Sequence, residues 1–273
     1  VRIQRASALP AQSRAIAESL ESEFLLAWSR AGEGITEFFA GHHEDALPIL
    51  LDAERRLREG AIGSYAEVNH LRTFVLFTLR RLGAYTELRD RLVAYTRDAR
   101  LRGDRYAATS HVWSSNCVWL AADDVARARE DLESVVWSDP AEGLHLQHWF
   151  LIRSRAEIAL YEDDTEQMTD LDAQLRPFLG PAFAHVEAVA TETRYCLARF
   201  AIRRGDPQAA RKVMRPIARM RQPYVRTFIR LIEAAVAELE GRLEGARDKR
   251  GVALGDADAC KMAGVAALAR LRF

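Results

Sequence analysis

Small and apolar residues recur along this chain at the spacing of an α-helix. Alanine, leucine, arginine and glutamate, which favour helices, are plentiful. Runs of β-branched residues are short and rarely alternate with polar residues, so strands are not expected. The pattern therefore predicts an all-α protein.

The helical pattern repeats with a nearly constant period. A small or polar turn pair ends one helix, and a second amphipathic helix is under way about five residues later. The first residues of these turns are separated by 42, 40, 40, 42 and 36 positions. The turns begin at Gly41, Gly83, Asp123, Asp163, Gly205 and Gly241. Such a period is typical of a solenoid of helical hairpins, each of which buries its apolar face against its neighbour.

The first repeat is similar to a tetratricopeptide repeat. Its small and packing residues fall at the spacing of that motif, although the period here is nearer 40 than the usual 34. These residues are Gly34, Gly41, Ala46, Leu50 and Ala53. Later repeats fit less well, because Asp172 and Arg250 stand where an apolar residue is expected.

We therefore predict an α-α superhelix, a tetratricopeptide-like solenoid of about six hairpins. A closing helix is expected from about Ala257 to Arg272. Residues 15–273 are predicted to form one domain. Residues 1–14 are expected to be a linker at an edge cut inside a longer protein, since the chain begins with Val1.

Four stretches resemble the C-terminal helical-repeat region of large bacterial serine/threonine kinase-like signalling proteins, typical of social and predatory soil bacteria. They are Gly83–Leu88, Gly103–Ser110, Trp119–Asp124 and Gly143–Trp149, and the resemblance covers roughly Ala66–Arg272. It implies a regulatory repeat domain whose kinase-like domain lies upstream. The chain itself has no Gly-rich phosphate loop, H-R-D or D-F-G motif. No catalytic residue is carried over, and this chain is expected not to be an enzyme.

The composition of the chain argues against several classes of function. The 39 basic residues balance the 39 acidic ones, so bulk charge gives no argument for nucleic acid or an anionic membrane. No apolar run approaches the ~18 residues of a membrane span. The widely spaced Cys117, Cys196 and Cys260 form no metal-binding spacing and are expected to be reduced thiols of a cytoplasmic protein. No cofactor is predicted.

The concave surface formed by the first helices of the hairpins is the expected ligand site. In a tetratricopeptide register it would be lined by His70, Thr73, Trp113, Arg153, Glu157, Tyr195 and Arg199. Arg153 and Arg199 would meet carboxylates of a peptide or protein partner. Trp113 and Tyr195 would supply apolar contact.

Other polar clusters have simpler interpretations. His145 and His148 share a helix face, but without an evident third ligand they are expected to pack and cap a helix. The acids at 123–124 and 162–164 are expected in turns and N-caps. Ser114–Cys117 is expected to form hydrogen bonds between helices.

Charge is unevenly distributed. Residues 194–230 hold eleven basic residues against one acid, whereas residues 121–170 hold thirteen acids against four arginines. This asymmetry could be used within one molecule, in a homodimer or toward a charged partner. A nucleic-acid role for the basic segment is disfavoured because no binding motif accompanies it.

Three functions remain open. The leading one is a protein-interaction scaffold that regulates an upstream signalling domain. The second is a sensor that closes around a small molecule, which would show a deep pocket lined by His, Trp and Arg. The third is an unrecognised enzyme or a nucleic-acid binder.

Overall fold

The computed structural model describes residues 9–60, 63–137, 143–183, 186–220 and 222–270. These residues form α-helices and two short 3₁₀ segments, at Arg176–Leu179 and Arg215–Ile217, and contain no strand. The all-α prediction is confirmed. The helices are α1 (Leu9–Ser19), α2 (Glu23–Ala40), α3 (His43–Gly60), α4 (Tyr65–Leu82), α5 (Tyr85–Leu101), α6 (Arg105–Ser115), α7 (Cys117–Leu120), α8 (Val125–Glu133), α9 (Leu146–Glu162), α10 (Thr165–Leu175), α11 (Glu187–Arg203), α12 (Pro207–Met214), α13 (Pro223–Leu239), α14 (Leu243–Ala259) and α15 (Ala263–Arg270).

Each predicted turn begins with a residue in the left-handed backbone region. The φ angles are +91° at Gly41, +72° at Gly83, +58° at Asp123 and Asp163, +71° at Gly205 and +74° at Gly241. Glycine has no Cβ to clash there, and aspartate is one of the few other residues that tolerate it. Asp124 and Asp164 then cap the following helices by accepting the backbone N–H groups of Arg127 and Gln167 at 2.9 Å. The turn and N-cap interpretation holds for Asp123, Asp124, Asp163 and Asp164, whereas Glu162 is the last residue of α9.

The helices pack in chain order as hairpins: α2 with α3, α4 with α5, α6–α7 with α8, α9 with α10, α11 with α12, and α13 with α14. The first helices also pack on one another, in the order α2, α4, α6, α9, α11 and α13. This stacking places their inner faces around one interior region. The residues five positions after each turn, which are Ala46, Leu88, Ala128, Met168, Ala210 and Ala246, are fully buried.

The two irregular packing positions are satisfied by charge pairing. Asp172 accepts hydrogen bonds from Arg176 at 2.6 Å and Arg204 at 2.9 Å. Arg250 is buried and forms an ion pair with Glu238. The repeat therefore tolerates a charged residue at a packing position because a neighbour supplies the opposite charge.

The chain's N-terminal part is helical from Leu9. The predicted boundary at residue 14 falls inside α1, which packs against α2, and Ser29 Oγ donates to the Pro10 carbonyl at 3.2 Å. Residues 1–8 lie outside the described residues. At the other end, α14 continues to Ala259 and the closing helix α15 begins only at Ala263.

The first and last parts of the array touch each other. The closing helix α15 packs on α4, where Gly83 and Gly264 lie so close that a Cβ on Gly83 would come within 2.5 Å of the Gly264 nitrogen. The rings of His43 and Tyr224 are 6.1 Å apart, and the Arg81 guanidinium lies 5.0 Å from the centre of the Tyr224 ring. These contacts curl the array around its interior.

Close helix packing within the first hairpin depends on Gly34. A Cβ there would lie 2.8 Å from Cγ of the fully buried Leu50, whereas a Cβ on the exposed Gly32 would meet nothing within 4 Å. Both glycines lie inside the continuous helix α2.

We expect Gly34→Ala to lower the free energy of unfolding by about 1–3 kcal/mol, because the added methyl overpacks the contact with Leu50. Gly32→Ala should raise it by about 0.5–1 kcal/mol, because alanine favours the helix. Urea denaturation of both variants measures this difference. Equal effects at the two positions would show that the close approach does not limit stability.

Two buried histidines make the fold sensitive to acid. Burial lowers the pKa of His43 to about 3, with a further contribution from Arg81, and burial lowers the pKa of His111 to about 4. The unfolded chain has histidine pKa values of about 6.5 and takes up protons that the folded chain rejects. The folded state is therefore fully favoured above pH ~6.5 and loses stability as the pH falls below that value.

We expect each buried histidine to account for about 2 kcal/mol of the fall in unfolding free energy between pH 7 and pH 5. His111→Leu should reduce that pH dependence by this amount, because it removes the buried imidazole. Urea denaturation at the two pH values provides the measurement. An unchanged slope in His111→Leu would contradict the prediction.

Candidate functional site

A pocket of about 490 Å³ lies in the interior region between α2, α4, α6, α9 and α11. Its walls are rich in aromatic side chains: Phe38, Phe39, His70, Phe74, Phe77, Tyr106, Trp149 and Phe150. Its polar lining consists of Asn69, Thr73, Arg80, Asp104, Ser110, Arg153 and Glu192. This volume is within the ~300–1,000 Å³ range of small-molecule sites. A lining of many apolar groups with a few polar ones is also typical of such sites.

The aromatic walls form a connected set of ring contacts. On α4, Phe74 lies 5.5 Å from Phe38 and 5.9 Å from Phe77, and Phe77 lies 5.8 Å from Phe150 on α9. The edge-to-face geometry at Phe74 is the favoured one for such pairs. Trp149 Nε1 donates to Thr193 Oγ1 at 2.8 Å, which fixes its indole between α9 and α11. The walls are therefore held in place by the packing of several hairpins.

Arginines gather around one glutamate at the inner end of the pocket. Glu192 on α11 accepts hydrogen bonds from Arg80 at 2.7 and 2.8 Å and from Arg81 at 2.5 Å. Arg153 on α9 lies 3.4 Å from the same carboxylate and donates to the Ser114 carbonyl at 2.7 Å. We call these four residues, Arg80, Arg81, Arg153 and Glu192, the arginine cluster. Their exposed fractions are only 15, 7, 3 and 11%.

Electrostatics keep the cluster ionised. Burial alone would raise the pKa of Glu192, but Arg80 and Arg81 hold it below its ordinary value. Burial alone would lower the pKa of Arg80, but Glu192 outweighs this effect and raises it. For Arg81 the effect of burial prevails, and its pKa is lowered. The single carboxylate of Glu192 is therefore the counter-ion of three buried guanidinium groups.

A second charged pair lies beyond the arginine cluster. Arg199 donates to Glu157 at 2.9 Å, and its guanidinium lies 5.5 Å from the centre of the Tyr195 ring. Tyr195 stacks on Phe228 with ring centres 4.3 Å apart. None of these side chains lines the pocket.

The predicted site residues thus fall into two groups. His70, Thr73 and Arg153 are brought together in the pocket. Glu157, Tyr195 and Arg199 pack with one another or with α13, so Arg199 meets an internal carboxylate. Trp113 does not face the pocket: it is buried on the other side of α6, where its Nε1 donates to the Leu132 carbonyl at 3.1 Å.

The sequence reasoning missed the main walls of the pocket and most of the arginine cluster. Extending His70 along its helix face by one and two turns reaches Phe74 and Phe77, and a third turn reaches Arg81. This part of the pocket could therefore have been predicted from the sequence. The role of Glu192 could not have been predicted in this way, because its partners Arg80 and Arg81 lie more than 100 residues away in the chain.

The other candidate clusters have structural roles. His145 is the N-cap of α9, and its backbone N–H donates to His148 Nδ1 at 3.1 Å. Asn116 Nδ2 donates to the Ala128 carbonyl at 2.8 Å, and the Ser114 carbonyl accepts from Arg153 at 2.7 Å, so the 114–117 patch does link helices. Across the part of the chain that the structure describes, no three His, Cys, Asp or Glu residues form a metal-binding group.

The cysteines are unsuited to nucleophilic chemistry. All are free thiols, and Cys196 and Cys260 are buried. Burial raises the pKa of Cys117 to about 11 and raises those of Cys196 and Cys260 as well. Thiols with raised pKa values carry little of the reactive thiolate at neutral pH.

Part of the charge asymmetry is used within the molecule. In the basic segment, Arg203 lies 3.5 Å from Asp163 in the acidic segment. Arg199 pairs with Glu157 of the same acidic segment. These pairs join the fourth and fifth hairpins, so the asymmetry does not require a second copy or a nucleic acid.

We expect Glu192→Gln to lower the free energy of unfolding by about 3–5 kcal/mol, because it leaves buried arginines without their carboxylate. A matched control is Glu130→Gln, since Glu130 is 70% exposed and pairs only with Arg127 among the described residues. That change should cost less than about 1 kcal/mol. Chemical denaturation checks both, and equal losses would show that the arginine cluster does not hold the hairpins together.

None of the described helices is long and apolar enough to cross a membrane. No protein-family model, curated protein or solved structure matches this chain.

Proposed function

We propose that this chain is a non-catalytic ligand-binding module that takes a small, largely apolar molecule into its interior pocket. The observation that carries the proposal is the aromatic pocket of about 490 Å³ between the first helices of five hairpins. It contains His70, Trp149 and Arg153, the residue types that the sensor hypothesis called for. A tetratricopeptide-like superhelix is the fold that we propose for the array.

The closure of the array favours a small molecule over an extended peptide. An extended peptide needs an open groove along the first helices. Here Tyr224 on α13 packs near His43 on α3, and α15 packs on α4. The interior is therefore bounded by contacts between distant hairpins. The pocket stays open on the side of Phe39, Tyr106 and Val186, which are 41, 56 and 43% exposed. An aromatic pocket closed at one end suits a compact ligand.

The peptide-scaffold hypothesis remains the second candidate, supported by a different surface. Leu9 and Ile16 on α1 are 61 and 60% exposed, and Leu20, directly after the helix, is 61% exposed. They share a helical spacing and form an apolar stripe of the kind that protein partners cover. In either role, we propose a regulatory part of a bacterial signalling protein in the cytoplasm, as the sequence resemblance implies.

We expect Thr73→Trp to weaken ligand binding at least about tenfold by filling the pocket. The probe is N-phenyl-1-naphthylamine, a neutral aromatic dye whose fluorescence rises in apolar sites. The matched control is Thr169→Trp on α10. Thr169 Oγ1 donates to the carbonyl four residues earlier at 2.9 Å, as Thr73 Oγ1 does at 3.0 Å, but Thr169 is exposed and outside the pocket.

Fluorescence titration should give saturable binding for the wild type and for Thr169→Trp. Circular dichroism must show that both variants are folded. If folded Thr73→Trp binds the dye as tightly as the wild type, the pocket is not the ligand site. The scaffold hypothesis and the α1 surface would then lead.

A further inference from the structure

The arginine cluster carries more positive charge than the described residues neutralise. Arg80, Arg81 and Arg153 share the single carboxylate of Glu192, which leaves an excess of two positive charges in a buried place. The next acid, Glu157, is already paired with Arg199 at 2.9 Å, so counting that pair does not change the excess. Uncompensated buried charge is costly, and an anion that reached the cluster would offset the cost.

Two of the three arginines of the cluster border the pocket. Arg80 and Arg153 both line it, next to the aromatic wall formed by Phe77 and Phe150. The Nε–H of Arg153 is buried and has no acceptor among the described residues. Buried donors normally find an acceptor, so the hydrogen-bonding capacity of Arg153 is not fully used within the described part of the chain. Guanidinium groups suit carboxylate, sulfonate and phosphate oxygens, which they can bind with two donors at once.

The acid at the opposite side of the pocket does not cancel this effect. Asp104 accepts a hydrogen bond from Asn69 Nδ2 at 2.7 Å and caps α6 by accepting the Ala107 N–H at 2.9 Å. Neither contact involves the arginine cluster. The pocket is therefore polarised, with aromatic walls, a negative side chain near α6 and a positive inner end.

We infer that the pocket binds an amphiphilic anion, a molecule with an apolar body and one anionic head. The body lies among the aromatic rings, and the head accepts hydrogen bonds from Arg80 and Arg153. This inference deepens the proposed function and rests on it, because it names the ligand class of the same pocket.

The test compares two dyes that differ in one charged group. N-phenyl-1-naphthylamine is neutral, and 8-anilinonaphthalene-1-sulfonate adds a sulfonate to the same aromatic body. The wild type should bind the sulfonate at least about tenfold more tightly, a difference of about 1.4 kcal/mol. Arg153→Met should abolish that preference and leave the affinity for the neutral dye within about twofold.

The control variant is Arg155→Met. Arg155 lies two residues away on the same helix, is exposed and does not line the pocket, so its replacement should keep the preference for the anionic dye. A second measurement needs no variant: decanoate should raise the melting temperature of the wild type more than decanol does, because only decanoate places an anion on the arginines.

The outcomes separate this inference from the proposed function. Saturable binding of the neutral dye that is lost in Thr73→Trp, without a preference for the sulfonate or for decanoate, overturns the anion inference and leaves the proposed function standing. If each dye binds folded Thr73→Trp as tightly as it binds the wild type, both the anion inference and the proposed function are overturned. A preference for the sulfonate that survives in folded Arg153→Met also overturns the inference, because the anion then binds elsewhere.

Discussion

Glu192 joins parts of the chain that are far apart in sequence. Its carboxylate accepts hydrogen bonds from Arg80 and Arg81 on α4 and lies close to Arg153 on α9, so one side chain ties the second, fourth and fifth hairpins together. Hairpins that are adjacent in the chain also pack on one another. Here a buried ionic contact adds a restraint across the interior, and it requires an exact geometry because unpaired buried charge is heavily penalised.

The interior pocket follows from this restraint and from the small residues around it. The contact between Gly83 and Gly264 brings α15 onto α4, and the packing of Tyr224 near His43 brings the sixth hairpin to the first. With the array curled in this way, the large rings of α4 and α9 face a shared space that they do not fill. Charge and apolar surface thus meet in one place, which is the chemical basis of the ligand class inferred for it.

The repeat could be predicted closely, whereas the site could be predicted only in part. The turns at 41, 83, 123, 163, 205 and 241 could be recognised in the sequence because the left-handed backbone of those positions favours glycine and aspartate. The tetratricopeptide register assigned His70, Thr73 and Arg153 to the concave surface, and all three line the pocket. Trp113 was misplaced relative to the pocket because a shift of one residue rotates a helix face by about 100°.

The sequence by itself determined the helical class, the turns and the period of the hairpins, because these depend on local backbone preferences and on apolar spacing within a few turns. Only the tertiary structure decided how the hairpins curl, which arginines share Glu192 and where the aromatic rings leave a pocket. Those features depend on contacts between residues such as Arg80 and Glu192, 112 positions apart. Such a contact cannot be predicted from local sequence, because many other pairings of the chain's charged residues are compatible with the same helical pattern.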